Sequence, residues 1–326
     1  MSSGAGAPLS KAAMVLRATT DGVWRVALDG ARLAAAAPGW HHPGTMTDTS
    51  PYGTYAPTGL VARIAERTQK LPEHSWRARR MAMFLRRLAI SMMRGRPLDV
   101  ERYGARMRLH PYNNNCEKKV LFTPQFFDPQ ERAFLKERLR DDAVFLDIGA
   151  NIGAYALFVA GFTGRRARIL AVEPQPDVFD RLTFNIGQNP FGTVKAIACA
   201  VADKSGELTL FIDPRNRGES SVKIVGTHKN ATVRVPAVTL VELCRSEGIE
   251  RIDAIKLDVE GAEDLILEPF LRDAPASLLP SVLVIENGAD QWQIDLPNLL
   301  NKYGYRQIAR TRLNLMFERV EPSRPA

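Results

Sequence analysis

From residue 144 onward, short apolar runs alternate with stretches of helical periodicity. Val144 to Ile148, Arg168 to Val172, Val194 to Val201, Ala254 to Leu257 and Val282 to Ile285 read as strands buried on both faces, and the helical patterns between them predict parallel βα units. Between the third and fourth runs, Glu207 to Ile212, Ser221 to Val225 and Thr232 to Val235 alternate and are separated by turn residues, which predicts an inserted antiparallel ribbon. Tyr305 to Ala309 and Asn314 to Phe317 lie close enough to form a terminal hairpin. Upstream, helical pattern begins near Leu60, Arg106 to Leu109 is strand-like, and Phe126 to Leu139, opened by Asp128-Pro129, predicts a helix leading into the first core strand.

This pattern divides the chain into an extension over 1–57, a basic helical and mixed cap over 58–139, an α/β domain over 140–320 and a tail over 321–326. The extension is rich in Ala, Gly, Pro, Ser and Thr with little periodicity, so it is expected to be disordered or weakly ordered. Within the cap, Ser75 to Arg96 sets Met81, Phe84, Leu85, Leu88 and Met92 at helical spacing, with Arg79, Arg80, Arg86, Arg87 and Arg94 on the other side. Such a basic amphipathic helix either docks its apolar side on its own domain and leaves the basic side in water, or makes a peripheral contact with an anionic membrane or an acidic partner.

The candidate chemistry sits at the strand ends. Val144 to Gly153 reads V-F-L-D-I-G-A-N-I-G, a buried strand that ends on an acid and enters a Gly-rich turn, which marks the crevice of a doubly wound α/β sheet. A dinucleotide site needs glycine where this chain has Asn151, so that bare backbone can approach a pyrophosphate. Asp147 with the turn Gly149, Asn151 and Gly153 suits instead a cofactor with an ammonium group and no phosphates, the character of S-adenosylmethionine. The next strand ends on Glu173, 26 residues after Asp147, the interval of one strand, one crossover helix and a second strand. Its carboxylate can accept two ribose hydroxyls, although an NAD-dependent oxidoreductase would use an acid in the same way. The fourth strand leads into Ile255-Lys256-Leu257-Asp258-Val259-Glu260-Gly261, so Asp258 and Glu260 are the candidate catalytic bases, with helix capping as their ordinary alternative. The fifth strand ends at Glu286-Asn287, which with Asp258 offers oxygen ligands to a magnesium ion.

The motifs L-D-I-G-A-N-I-G-A-Y, A-V-E-P-Q-P, A-C-A-V-A-D-K-S-G-E-L-T-L and I-K-L-D-V-E-G-A-E, in this order over about Leu121 to Glu286, resemble the FkbM-type methyltransferases of the S-adenosylmethionine-dependent Rossmann-like class. The resemblance implies a mostly parallel seven-stranded sheet with an antiparallel terminal strand. It implies O-methylation of a hydroxyl on a sugar or other secondary metabolite, and it gives Asp203 the role of acceptor for the adenine amine. The Asp258, Glu286 and Asn287 set looks like the metal site of catechol-type O-methyltransferases. The family usually carries an acid where this chain has Val241. The turn Asn216 to Ser221 matches a polar loop of the family, and His228 is a reserve catalytic candidate on the ribbon.

Charge and composition narrow the alternatives. The net charge of +8 is uneven: residues 1–120 hold 19 Lys and Arg against 8 Asp and Glu, whereas the rest hold 25 against 28. The basic excess motivates a rival reading as a non-catalytic membrane- or nucleic-acid-binding protein, but no recognition module accompanies it, and a nucleic-acid partner is not expected. The expected partner is a small-molecule or glycan substrate. Cys116, Cys199 and Cys244 are scattered and odd in number, which fits reduced buried thiols. Without a transmembrane run or secretory pattern, a cytoplasmic location is expected.

Overall fold

The computed structural model describes residues 48–72, 75–212, 220–221 and 231–320, together with the backbone of 14–18 and 24–28. Strands β1 (Met14–Ala18) and β2 (Trp24–Leu28) pair as an antiparallel hairpin. The cap follows as α1 (Gly59–Gln69), α2 (Trp76–Met93), the hairpin of β3 (Leu98–Arg102) and β4 (Ala105–Leu109), α3 (Asn115–Phe122) and α4 (Pro129–Arg138). Helix α4 starts at Pro129, where a preset φ and a missing N–H cost nothing.

The α/β domain then runs β5 (Val144–Ile148), α5 (Ala154–Phe162), β6 (Arg168–Val172), α6 (Pro176–Gly187), β7 (Val194–Ile197), β8 (Ala200–Val201), β9 (Gly206–Ile212), β10 (Ser220–Ser221), β11 (Ala231–Val238), α7 (Leu240–Ser246), β12 (Ala254–Leu257), α8 (Glu263–Asp273), β13 (Val282–Glu286), α9 (Leu296–Lys302), β14 (Tyr305–Arg310) and β15 (Asn314–Arg319). Seven strands form one sheet in the order β14-β15-β13-β12-β5-β6-β7, and β15 alone runs against the others. The chain starts this sheet in its middle, at β5, moves outward to β7, and returns to place β12 on the other side of β5. That reversal opens a crevice above the carboxyl ends of β5 and β12, where ligands of doubly wound sheets bind.

The third apolar run does not continue as one strand. The chain leaves the main sheet after Ile197 and joins a second sheet at Ala200, with order β10-β9-β11-β8 and β11 parallel to β8. The expected ribbon is thus a small sheet of its own, and the crossing at Cys199 carries residues 199–204 along one wall of the crevice. Most of the turn from Asn216 to Ser221, His228 and residues 321–326 lie outside the described residues.

Alternation along the central strands serves two cores. Phe145, Ile169, Ala171 and Val284 face α4, α5, α6 and the cap, whereas Leu146, Ile148, Leu170 and Leu257 face α7, α8 and α9. Lys256 stands in register with Asp147 on the neighbouring strand, so two ionisable residues occupy positions that the alternation assigns to the first core.

Two expectations for the N-terminal part are corrected. Helix α2 docks through Ala78, Ala82, Ala89 and Met93, while Met81, Phe84, Leu88 and Met92 remain exposed. Alanines allow close approach to α1 and α3, so the small side chains form the docking face and only Leu85 of the larger set packs against the core. Residues 48–55, read as extension, form a cage around Arg108. The buried guanidinium donates to the Asp99 carboxylate at 2.7 and 3.0 Å and to the carbonyls of Asp48, Ser50 and Pro51, each at 3.0 Å. Among the described residues, no helix is long and apolar enough to cross a membrane.

Candidate active site

A cavity of about 570 Å³ opens above the sheet, lined by the ends of β5, β6, β8 and β12 and by α3 of the cap. The turn after β5 brings two chain segments into contact: Gly149 has φ +78°, and a Cβ there would lie 1.8 Å from the Asp258 carbonyl oxygen. Glycine is required at this position by close approach as well as by conformation. Asn151 follows in the left-handed region at φ +50°. Its N–H donates to Glu173 Oε2 at 2.9 Å and its Oδ1 accepts from Asn114 Nδ2 at 2.8 Å, which ties the turn to both β6 and the cap. Gly153 does not line the cavity. Its missing Cβ, which would come 2.7 Å from Leu182, lets α5 start against α6.

Asp147 and Glu173 are both buried and both line the cavity. Asp147 Oδ2 accepts from the Ala156 N–H at 2.9 Å, in the first turn of α5, where the helix dipole favours an anion. Glu173 Oε1 accepts from the Gln175 N–H at 3.0 Å, so each Glu173 oxygen is fixed by one backbone donor. Burial pushes both carboxyls up to about 7, against the Lys256 ammonium for Asp147 and the backbone donors for Glu173. Asp203 lies exposed at the rim beside Lys204, on the strip that follows Cys199. Cys199 and Cys244 have thiols that burial raises to about 12, as inert core residues do.

The end of β12 holds the densest charge. Lys256, fully buried in the strand, donates to Asp258 Oδ2 at 2.8 Å and has its ammonium 5.4 Å from the Tyr155 ring centroid. The ammonium holds the Asp258 carboxyl below its usual range despite the cost of desolvation. Glu286, at the end of β13, is shifted the opposite way by burial and by the charges of Asp258 and Glu260. Glu260 has φ +56°, an uncommon conformation for a side-chain-bearing residue. The backbone is held there by Glu263, whose Oε1 accepts from the N–H groups on either side, Val259 and Gly261, each at 3.1 Å, while Oε2 accepts from Trp292 Nε1 at 2.8 Å.

Asp258, Glu260 and Glu286 bring one carboxylate oxygen each within 4.8 Å of one another, and the Oδ1 of Asn287, the residue after Glu286, is buried with no hydrogen-bond partner. Asp258 and Glu286, two of the three expected magnesium ligands, are thus brought together with Glu260 as a set that could hold a cation. Lys256 supplies one positive charge to Asp258, and burial beside two other acids raises the Glu286 carboxyl. His110 stands apart from the cavity, its imidazole pushed down to about 4 by burial.

The strand-end reading therefore gathers Asp147, Gly149, Asn151, Glu173, Asp203, Asp258 and Glu260 around one cavity, with Gly153 behind it. It omitted Lys256, Glu263 and the α3 residues Asn114 and Lys119. Lys256 carried a signal, since a lysine inside an otherwise apolar strand needs a buried partner.

Residues 147–307 match the family model described as the methyltransferase FkbM domain. The chain is 32% identical over 159 residues to the hexuronic acid methyltransferase AglP of Haloferax volcanii, covering 48% of this chain and 61% of that protein. It is 30% identical over 181 residues to the methyltransferase sdnD of Sordaria araneosa, covering 46% of this chain and 66% of that one, so it spans less than two thirds of either relative. The crystal structure of methyltransferase FkbM from Methylobacillus flagellatus KT is similar at 15% identity and a TM-score of 0.34, covering 72% of this chain and 60% of that one. The strand order and the acid-ended strands agree with the family match, and residues 147–307, just under half of the chain, are similar to the FkbM methyltransferase domain.

Proposed function

We propose that this chain is an S-adenosylmethionine-dependent methyltransferase that acts on a hydroxyl of a sugar or other small metabolite. The observation that carries the reading is the pair of buried acids, Asp147 and Glu173, at adjacent strand ends over one cavity. A cavity of about 570 Å³ suits a nucleoside-sized ligand together with part of a substrate. Glu173 would hold the ribose hydroxyls, Asp147 the amino end and Asp203 the adenine amine. When bound, S-adenosylmethionine supplies a methyl group on a positively charged sulfur, and the acids of the site suit that charge. An NAD enzyme is disfavoured because Asn151, bonded to Asn114, occupies the place where bare backbone would meet a pyrophosphate.

For the acceptor, Asp258 is the aligning carboxylate and Glu260 the proton acceptor. Lys256 lowers the proton affinity of Asp258, so at neutral pH it stays an anion that can accept a hydrogen bond from a neighbouring hydroxyl of the acceptor. Glu260 is clamped by Glu263 in a conformation it would not adopt freely, as happens where a side chain must be aimed. With the methyl donor bound between Asp147 and Glu173, Glu260 would take the proton of the hydroxyl being methylated. The hexuronic acid relative favours a sugar acceptor within this class.

The test is single-turnover methylation with candidate sugars by Glu260→Gln and Asp258→Asn, alongside calorimetry with S-adenosylhomocysteine. Glu260→Gln should lower turnover by about 10²–10⁴-fold and abolish the acid limb of its pH profile. Asp258→Asn should lower turnover by about 10²-fold with the limb retained. Unchanged turnover in both, on an accepted substrate, would reject the site, and absence of S-adenosylhomocysteine binding would reject the cofactor.

A further inference from the structure

The outward face of α2 pairs an apolar stripe with arginines. Phe84 is 69% exposed and Trp76 63%, and Met81, Leu88 and Met92 are each 40% exposed or more. Residues 81, 84, 88 and 92 are three and four apart, so they form one continuous row along the helix. Arg77, Arg80 and Arg87 are exposed beside the row, and the guanidinium groups of Arg77 and Arg80 lie 5.7 and 5.8 Å from the Trp76 ring centroid. No acidic residue occurs between Ser75 and Arg96. At the start of α1, Leu60 is also exposed.

We infer that α2 is a docking helix for an anionic lipid bilayer, with Met81, Phe84, Leu88 and Met92 entering the boundary between headgroups and acyl chains and Arg77, Arg80 and Arg87 binding lipid phosphate. Charge complementarity selects this occupant. A second copy of the same face would set arginine against arginine. RNA would satisfy the arginines and could stack on Phe84 and Trp76, but would leave Met81, Leu88 and Met92 uncovered. A bilayer takes both components: apolar side chains enter it, arginine heads snorkel to the phosphates, and Trp76 sits at the interface. The helix lies on the surface, because it is not apolar enough to span. The inference is independent of the methyltransferase reading, which concerns the opposite side of the cap.

The test is flotation of the full chain with vesicles of phosphatidylcholine alone or with about a third of phosphatidylglycerol. The chain should float with the anionic vesicles, stay unbound with the neutral ones, and dissociate as salt is raised. Phe84→Glu with Leu88→Glu, and separately Arg80→Glu with Arg87→Glu, should each lower the bound fraction at least about tenfold. These side chains are exposed, so the thermal midpoint should stay unchanged and serve as the control for folding. No flotation at low salt, or flotation that the Phe84 and Leu88 changes leave intact, overturns the inference. RNA binding that survives those changes in a chain that ignores vesicles would assign the face to nucleic acid. Loss of a concentration-dependent dimer in the same variants, again without vesicle binding, would assign it to a second copy.

Discussion

The cage around Arg108 predicts that the chain beginning at residue 48 is more stable than the chain beginning at residue 56, although the removed residues contain no apolar periodicity. The guanidinium is buried and donates to Asp99, to three carbonyls of residues 48–51 and to Ser50 Oγ at 3.1 Å. It also packs 4.9 Å from the Tyr55 ring centroid. Asp99 in turn accepts from the N–H groups of Gly53 and Tyr55 at 2.8 and 3.1 Å. A hydrogen bond to a charged group contributes about 1.5–3 kcal/mol, but truncation admits water that recovers most of that, which leaves a net loss of about 2–4 kcal/mol. For a domain of this size the loss corresponds to roughly 5–10 °C in Tm. Differential scanning calorimetry and urea denaturation of the two chains provide the measurement. Arg108→Met, placed in both, provides the mechanism: if the segment acts through Arg108, truncation costs less once the guanidinium is gone. Equal melting of the two unmutated chains, or the same truncation cost with and without Arg108, would refute the cage as the source of stability.

Other predictions concern the cavity. Burial raises Asp147 and Glu173 to about 7, so S-adenosylhomocysteine should bind about tenfold more weakly at pH 6 than at pH 8 if the anion of Glu173 is what accepts the ribose hydroxyls. Calorimetry at the two pH values decides this, and equal affinity would mean the wrong acid has been assigned. The same shifts have an opposite sign for the empty protein: both folded values lie above the ordinary carboxyl values, so the stability they add is complete below about pH 4 and is lost as pH rises through 7. Gly149→Ala should fail to accumulate as folded protein or lose more than about 3 kcal/mol, because the new Cβ meets backbone at 1.8 Å; a variant that melts like the parent would show that the two strand ends can separate. Lys256→Met should move the pH profile of turnover upward by removing the ammonium from Asp258, with Lys256→Arg restoring part of the shift, and an unmoved profile would deny Lys256 its positioning role.

The sheet was legible from sequence because its strands are buried on both faces and their apolar runs are bounded by acids and turns, as at Val144 to Asp147 and Arg168 to Glu173. The reversed strand near the end was expected from the terminal hairpin and the family resemblance, whereas the order of the strands is read from the structure. The switch of sheets at Ala198 and Cys199 was not legible, since V-K-A-I-A-C-A-V reads as one continuous run and only the partner strands break it. At the site, residues at strand ends were found because position in the chain is enough to place them on one edge. Residues that act through a bond made elsewhere were not. Glu263 looks like an ordinary acid in the first turn of a helix, and only its bonds to Val259, Gly261 and Trp292 reveal that it holds the loop of Glu260.

Helix α2 marks a limit of pattern reading that has a physical cause. Its sequence offers two faces that could be buried, one of large apolar residues and one of alanines, and a periodicity argument prefers the larger because burial energy scales with area. Packing against α1 and α3 is decided by distance of approach as well as by area, and Ala78, Ala82 and Ala89 let the backbones come closer than Phe84 or Met81 would. The larger face is then left outside, still flanked by the arginines that looked like the solvated side. The same residues that seemed to explain how the cap folds therefore become available for a partner. Because α2 also packs against α3, which lines the cavity with Asn114 and Lys119, the cap joins the two surfaces: one element faces the cavity and the element behind it faces outward.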